Sequence, residues 1–279
     1  MARRAISTPL LQVAAASLLA ACTGLSALAQ DVAKRIDDAI AGPHRPEKNR
    51  VRDIHRHPRE TLLFFGLRPE MTVVEIWPAA GWYTEIIAPV LRGAGRYYAA
   101  HVAHEDPDIQ GWQRESKQDF IARYTGKPDL YGDVVVTSLK APKWVDIAPA
   151  TSADLVLTFR NVHNWTAAGN DEAMFRTFFE TLKAGGVLGV VEHRAKEGTS
   201  REQMIKTGYM TESYVIALAE KAGFRLDARS EVNANPKDTK DHPSGVWSLP
   251  PMLRGSPFAR DRFVAIGESD RMTLRFRKP

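Results

Sequence analysis

From residue 71 onward the sequence alternates short β-branched runs with segments of helical spacing. That alternation restricts the fold more than any other feature. Met71 to Trp77 reads as a strand, Pro78-Ala79-Ala80-Gly81 breaks it, and residues 82–91 follow with helical spacing up to Gly93. Further strands are expected over 95–100, 133–139, 154–159, 187–191, 224–232 and 272–276, with helices over 108–124, 171–182 and 212–222. Apolar strands separated by helices predict a parallel, Rossmann-like α/β sheet of seven strands with helices on both faces, forming one domain over 67–279. With 279 residues, 44% hydrophobic and 25% charged, the chain has material for one sizeable core, and disorder is excluded. A single cysteine excludes a disulfide scaffold.

The first thirty residues read as an export leader. Arg3 and Arg4 precede an apolar run over 10–21 that only Gln12 and Ser17 interrupt. The run is shorter than the roughly 20 residues a membrane span needs. Two processing patterns compete. Ala27-Leu28-Ala29 before Gln30 suits an ordinary signal peptide, 1–29, while Leu19-Ala20-Ala21-Cys22 resembles a bacterial lipobox that would remove 1–21 and lipidate Cys22. Acyl chains there would anchor the protein at about 0.8 kcal/mol per buried methylene. Either pattern places the mature chain in the bacterial periplasm or cell envelope.

Residues 30–66 form a prelude. A short amphipathic helix is expected over 31–41, ended by Gly42-Pro43, then a charged stretch leads into a helix through Arg56. Pro58 suits the first turn of another helix that carries Leu62 to Phe65 and stops at Gly66. This N-terminal helical extension precedes the sheet.

Ligands of open α/β sheets bind beyond the carboxyl ends of the strands. The segments there are Glu75 to Gly81, His101, Ser138, Arg160 to Trp165, and Glu192-His193. In the fourth-strand segment, a loop bearing Arg160, Asn161, His163, Asn164 and Trp165 gathers donors, a titratable ring and an apolar plate. Proton removal from an oxygen or nitrogen acceptor suits imidazole, which titrates at about 6.5. His163 and His193 are the candidates, with Arg160 and Asn161 beside them.

The order of these segments resembles class I S-adenosylmethionine-dependent methyltransferases from about residue 62 onward. Thr72-Val73-Val74-Glu75 is similar to that family's first motif, a strand ending in an acid before a glycine-containing turn. Leu182-Lys183-Ala184-Gly185-Gly186 is similar to its entry into the fifth strand, and Asp154 to Asn161 resembles its fourth-strand motif. Val74 to Pro78, Gly81 to Thr84 and Asp270 to Leu274 resemble more narrowly a bacterial group of exported methyltransferases. The resemblance implies S-adenosylmethionine as cofactor and a small-molecule acceptor. Its methionine end would lie on Glu75, Trp77, Ala79 and Gly81, its nucleoside on His101 and Ser138, and the acceptor would face Arg160 to His163.

Two departures stand out. Trp77 and Ala79 occupy positions where the family uses glycine, so extra Cβ atoms are expected to crowd the ligand and weaken cofactor binding. The second strand ends in Ala99-Ala100-His101 rather than in the acid that holds the ribose.

Two rival readings stay open. A methyltransferase fold exported away from the cytoplasm, where S-adenosylmethionine is made, is also what a binding protein of the envelope would show. Strand-end histidines, His101, His163 and His193 with His104 and Glu192 nearby, admit a zinc or iron enzyme, but none has ligand-pair spacing and no metal ligand is assigned. Nucleic acid is not expected. The net charge is +5, and removing a leader with Arg3 and Arg4 leaves 36 basic against 33 acidic residues, or +3. Arg271, Arg275 and Arg277 alternate as one exposed strand face would, with no aromatic platform. Within the polar loop over 233–251, residues 238–251 are expected to form a lid or a substrate wall over the strand ends.

Overall fold

A computed structural model describes residues 30–255 and 257–279. The leader, both cleavage patterns and Cys22 therefore lie outside the described residues. Among the described residues no helix is long and apolar enough to cross a membrane.

The prelude is helical, as expected, but broken more often. A first helix, α1, covers 30–41. It is followed by α2 (Glu47–Arg50), α3 (Asp53–Arg56) and α4 (Pro58–Phe65). Pro58 sits in the first turn of α4, where its missing N–H costs nothing, and Gly66 ends the helix in the left-handed region.

The sheet then builds in chain order: β1 (Thr72–Ile76), α5 (Thr84–Leu91), β2 (Arg96–Val102), α6 (Gly111–Tyr124), α7 (Pro128–Tyr131), β3 (Val134–Lys140), β4 (Trp144–Asp146) and β5 (Ala153–Phe159). Next come α8 (Val162–Ala168), α9 (Asp171–Thr181), β6 (Leu182–His193), α10 (Arg201–Thr207), α11 (Glu212–Lys221), β7 (Arg225–Ser230), α12 (Arg260–Ile266) and β8 (Arg271–Arg277). The strand order is β4-β3-β2-β1-β5-β6-β8-β7. Eight strands replace the expected seven, because the short β4 adds an antiparallel edge to β3. The sheet is also mixed rather than parallel: β8 runs antiparallel to both β6 and β7.

Successive strand residues enter two cores. Val73, Leu155 and Leu157 face α1, α4, α5 and α6 through Ile36, Phe65, Ile86 and Tyr124. Val74, Ile76, Val156 and Leu188 face α8 to α11 through Trp165, Phe178, Met204 and Val215. Burial on both faces explains why these strands read as continuous apolar runs. Gly189 of β6 is small because α4 presses on it: a Cβ there would stand 2.8 Å from the Phe65 ring.

Candidate functional site

Three cavities lie along the carboxyl ends of the parallel strands. One, of about 390 Å3, is lined by Trp77, Ala79, His101, Trp112, Lys140 and Asn161. A second, of about 160 Å3, shares Trp77, Ala79 and Asn161 with it and adds Glu75, Tyr83, Arg56 and Arg160. The third, of about 310 Å3, shares Arg56 and Arg160 with the second and adds Arg52, His163, His193, Trp247 and Arg271. Shared walls put the three in a row. A larger cavity, about 590 Å3, lies around Arg96 and Asp133 at the amino ends of β2 and β3, away from the edge where such sheets bind ligands.

The turn after β1 holds its shape without the expected glycines. Trp77 (φ 47°), Ala79 (φ 51°) and Gly81 (φ 80°) are all left-handed. That conformation costs a non-glycine residue about 1 kcal/mol or more. The Trp77 N–H donates to Ala100 O (2.8 Å). Its indole Nε1 donates to Leu139 O (3.0 Å), and its ring meets Trp165 edge-on. Ala79 is exposed, so its methyl clashes with nothing in the core. Gly81 alone is sterically required, since a Cβ would lie 2.4 Å from the Tyr124 ring. The indole bond to β3 fixes the Trp77 side chain as a wall shared by the first two cavities.

Beneath the turn, Glu75 is buried. The Thr84 hydroxyl (3.0 Å) and the Tyr97 hydroxyl both donate to its Oε2. Its Oε1 accepts no hydrogen bond from the described residues. Burial pushes the Glu75 carboxyl up to about 7 against the pull of those two donors.

The nucleoside contacts expected from β2 and β3 are arranged differently. His101 Nδ1 accepts the Val102 N–H (3.0 Å), so its Nε2 carries the proton and donates to Ala79 O (3.4 Å). Burial pulls this ring down to about 4 and keeps it neutral. His101 lines the first cavity, yet both nitrogens are engaged in propping the β1 turn. Ser138 lines none of the three cavities; its hydroxyl accepts from Lys117 Nζ (3.0 Å) and donates to Glu105 (3.3 Å). Lys140 and Trp112, which is 68% exposed, line the first cavity and escaped the sequence reading. A lone tryptophan on the otherwise polar start of α6 is a signal that went unread.

Beyond β5, the expected loop is a helix. Arg160 (φ 62°) turns the chain, and Asn161 Nδ2 ties β1 to β5 by donating to Ile76 O (3.0 Å) and Thr158 Oγ1 (3.3 Å). Glu192, at the end of β6, then caps α8. Its Oε2 accepts the Val162 N–H (2.6 Å), and its Oε1 accepts His163 Nδ1–H (3.0 Å) and the His193 N–H (2.8 Å). A carboxylate from a distant strand thus satisfies the orphan donors of the helix start. The same bond fixes the His163 tautomer, leaving Nε2 as its basic nitrogen. Trp165 is not a plate in the site; it is fully buried against Phe178.

His163 and His193 stand with ring centroids 5.3 Å apart in the third cavity. Burial, then the charges of His163, Arg271 and Arg160, push His193 well below the usual imidazole range, so it is neutral. Together with Glu192, the two rings place potential metal-ligand atoms within 4.8 Å, a cluster invisible in sequence spacing. His101 lies in another cavity and cannot join it. Glu192, however, already accepts four N–H groups, and the nearby guanidinium groups oppose a cation.

Arg271 corrects the expectation of an exposed arginine face: it is 2% exposed. The antiparallel strand β8 starts where β6 ends, with Arg271 opposite His193. Arg52 and Arg56 arrive from the prelude. The late segment contributes Trp247, Leu249, Pro250 and Pro251 to the wall of the third cavity. Its Trp247 ring lies edge-on to His163 at 6.1 Å, and Asp238 anchors it by accepting from Tyr209 OH, His242 Nε2 and the Asp270 N–H.

No family model matches the chain, and no curated protein matches it. Solved structures do. The chain is similar to a SAM-dependent methyltransferase from Aquifex aeolicus, at 20% identity and a TM-score of 0.50 over 70% of this chain and 91% of that one. It is also similar to an arsenic(III) S-adenosylmethionine methyltransferase from Chlamydomonas reinhardtii, at 13% identity and a TM-score of 0.51 over 88% and 73%. At such identities the likeness establishes the fold: a Rossmann-like class I methyltransferase sheet with helices on both faces.

Proposed function

We propose that this chain is an S-adenosylmethionine-dependent methyltransferase acting on a small molecule. One observation carries the reading beyond the fold. Two non-glycine residues, Trp77 and Ala79, are held left-handed over a buried carboxylate with an unused oxygen, at the edge where this fold binds its ligand. Glu75 Oε1 and the exposed backbone around Ala79 would hold the ligand's ammonium and carboxylate. Trp77 and Trp112 would wall the nucleoside side, with His101 supporting the turn from behind. When bound, S-adenosylmethionine supplies a methyl group on a sulfonium, a substitution that needs alignment and a dry site. Arg160 stands between the second and third cavities, so the acceptor belongs in the third. There His163 Nε2 takes the acceptor's proton, and Glu192 holds the ring and stabilises the imidazolium.

A second reading, a methyltransferase fold kept as an envelope binding protein, draws on β2. No carboxylate lines the first cavity, and His101 and Ser138 are already engaged. We further infer that the chain is exported by its leader and anchored through Cys22.

Calorimetric titration of the mature protein with S-adenosylmethionine and S-adenosylhomocysteine tests the cofactor reading. Binding lost in Glu75→Ala supports it. No heat with either compound at about millimolar concentration, a binding free energy weaker than about −4 kcal/mol, overturns it in favour of the binding protein.

A further inference from the structure

The third cavity has a charge problem that the described residues do not solve. Arg52, Arg56, Arg160 and Arg271 all line it, with Arg254 at its rim over Trp247. One carboxylate lines it with them. Glu268 accepts from Arg52 Nε at 2.6 Å, from Arg56 Nε at 3.2 Å and from Arg271. Burial opposes its ionisation, but Arg271, Arg56, Arg52 and Arg160 together hold it well below the usual carboxylate range. Four guanidinium groups against one carboxylate leave a large positive excess at the floor of the cavity.

The guanidinium groups are also under-used. The Arg160 side chain joins no hydrogen bond or ion pair among the described residues, although its backbone is held in a left-handed turn that aims it here. Arg271 Nε is buried with no partner. Burial pulls Arg160 down to about 10, with the Arg271 charge adding to it, and pulls Arg56 down as well, with the Arg160 charge adding to it. Desolvated like charges without partners are costly. The opposite wall is apolar, built from Trp247, Pro250, Pro251 and Met252. At about 310 Å3 the space is near the lower end for ligand pockets, which run from about 300 to 1,000 Å3.

We propose that the third cavity binds a small organic oxyanion, a carboxylate or phosphate on a one-ring or short-chain apolar body, with its charged group on Arg160 and Arg271 and its body against Trp247. The planar fork of guanidinium matches either anion through paired N–H donors. Such an anion supplies the charge that Glu268 alone does not. It also brings a neighbouring hydroxyl of the same molecule towards His163. This names the acceptor class and rests on the methyltransferase reading, while the binding itself does not require a cofactor.

The test is equilibrium titration of the mature protein, without S-adenosylmethionine, using three probes: 4-hydroxybenzoate, phenyl phosphate and the neutral 4-hydroxybenzamide. At least one acid should bind about tenfold or more tighter than the amide, a difference of about 1.4 kcal/mol, and the stronger acid identifies the anion. Arg160→Gln, whose side chain has no structural partner to lose, should weaken the acids by about tenfold and leave the amide unchanged. Arg160→Lys, keeping the charge without the fork, should fall between them. A thermal midpoint no lower than the native protein's confirms that both variants fold. Equal binding of acids and amide, no acid binding at about 10 mM, or acid affinity untouched by Arg160→Gln each overturns the proposal. So does stoichiometric Zn2+ binding lost in His163→Ala with no acid binding. A separate S-adenosylhomocysteine titration keeps the two readings apart: cofactor binding without acid binding sinks only this proposal, and the reverse sinks only the cofactor assignment.

Discussion

Replacing Glu75 with glutamine should abolish the response of this position to pH. The native carboxyl is 3% exposed, and folding carries its pKa from the ordinary 4.5 up to about 7. Burial is the dominant cause, with Tyr97 and Thr84 pulling the other way. Between pH 4.5 and 7 the unfolded chain has released this proton while the folded chain keeps it. Stability therefore falls as pH rises through that window, is highest below it, and levels off above about pH 7. At about 1.4 kcal/mol per tenfold change in proton affinity, the loss comes to about 3 kcal/mol. Glutamine is neutral at every pH, and its amide oxygen can still accept from both hydroxyls. Denaturant unfolding of native protein and Glu75→Gln at pH 4.5, 5.5, 6.5 and 8 (the sampling points bracket about 4.5 to 7) isolates this group, because all other titrations cancel in the difference. The variant should gain on the native protein by about 3 kcal/mol across the series. A flat difference, or one that moves the other way, would refute the burial argument. If the gain is found alongside lost cofactor binding, the carboxylate is kept for its ligand at the expense of stability.

Other substitutions probe the wall and the leader. Gly245 (φ 56°) lies so close to α10 that a Cβ would stand 2.2 Å from Thr207 O. Gly245→Ala should cost about 3 kcal/mol in thermal or denaturant unfolding, and a cost below about 1 kcal/mol would show that the wall is not packed as described. For the leader, intact-mass analysis of membrane and periplasmic fractions should find the native chain acylated at residue 22 and membrane-bound, with Cys22→Ser released. A native chain that begins at Gln30 instead overturns the lipid anchor.

The strands were legible because burial on both faces gave them mostly apolar runs, as in Val73 to Ile76, broken only by Glu75, and Leu155 to Phe159, broken only by Thr158. What escaped depends on distant partners. Helix α8 could not be read from Arg160 to Trp165, because its cap is Glu192, thirty residues further on. The short β4 carries too little pattern to stand apart from a loop. Arg52 and Arg56 drew no site reading from the helix expected through Arg56, since nothing local announces that Glu268, over two hundred residues away, will draw them inward. Arg271 was misread for a different reason. Period-two alternation identifies a strand face, but only the reversed direction of β8 shows that its first residue lies at the ligand edge. At the β1 turn the sequence pattern flagged Trp77 and Ala79 as anomalies, and the structure shows how the indole bond to Leu139 makes the first of them tolerable.

The place of β8 in the sheet has a consequence for the order in which the molecule can be made. This strand, late in the chain, is not an edge; it fills the slot between β6 and β7 and bonds to both. Any process that handles the chain amino end first, whether a ribosome or a translocation pore, holds an incomplete sheet until residues 271–277 have emerged. Until then β6 exposes an open edge, and β7 has no neighbour to pair with. Because Arg271 rides on that strand, core and candidate site close in the same event. A nascent chain of this protein therefore has no half-finished stage in which the arginine cavity exists without the fold that supports it.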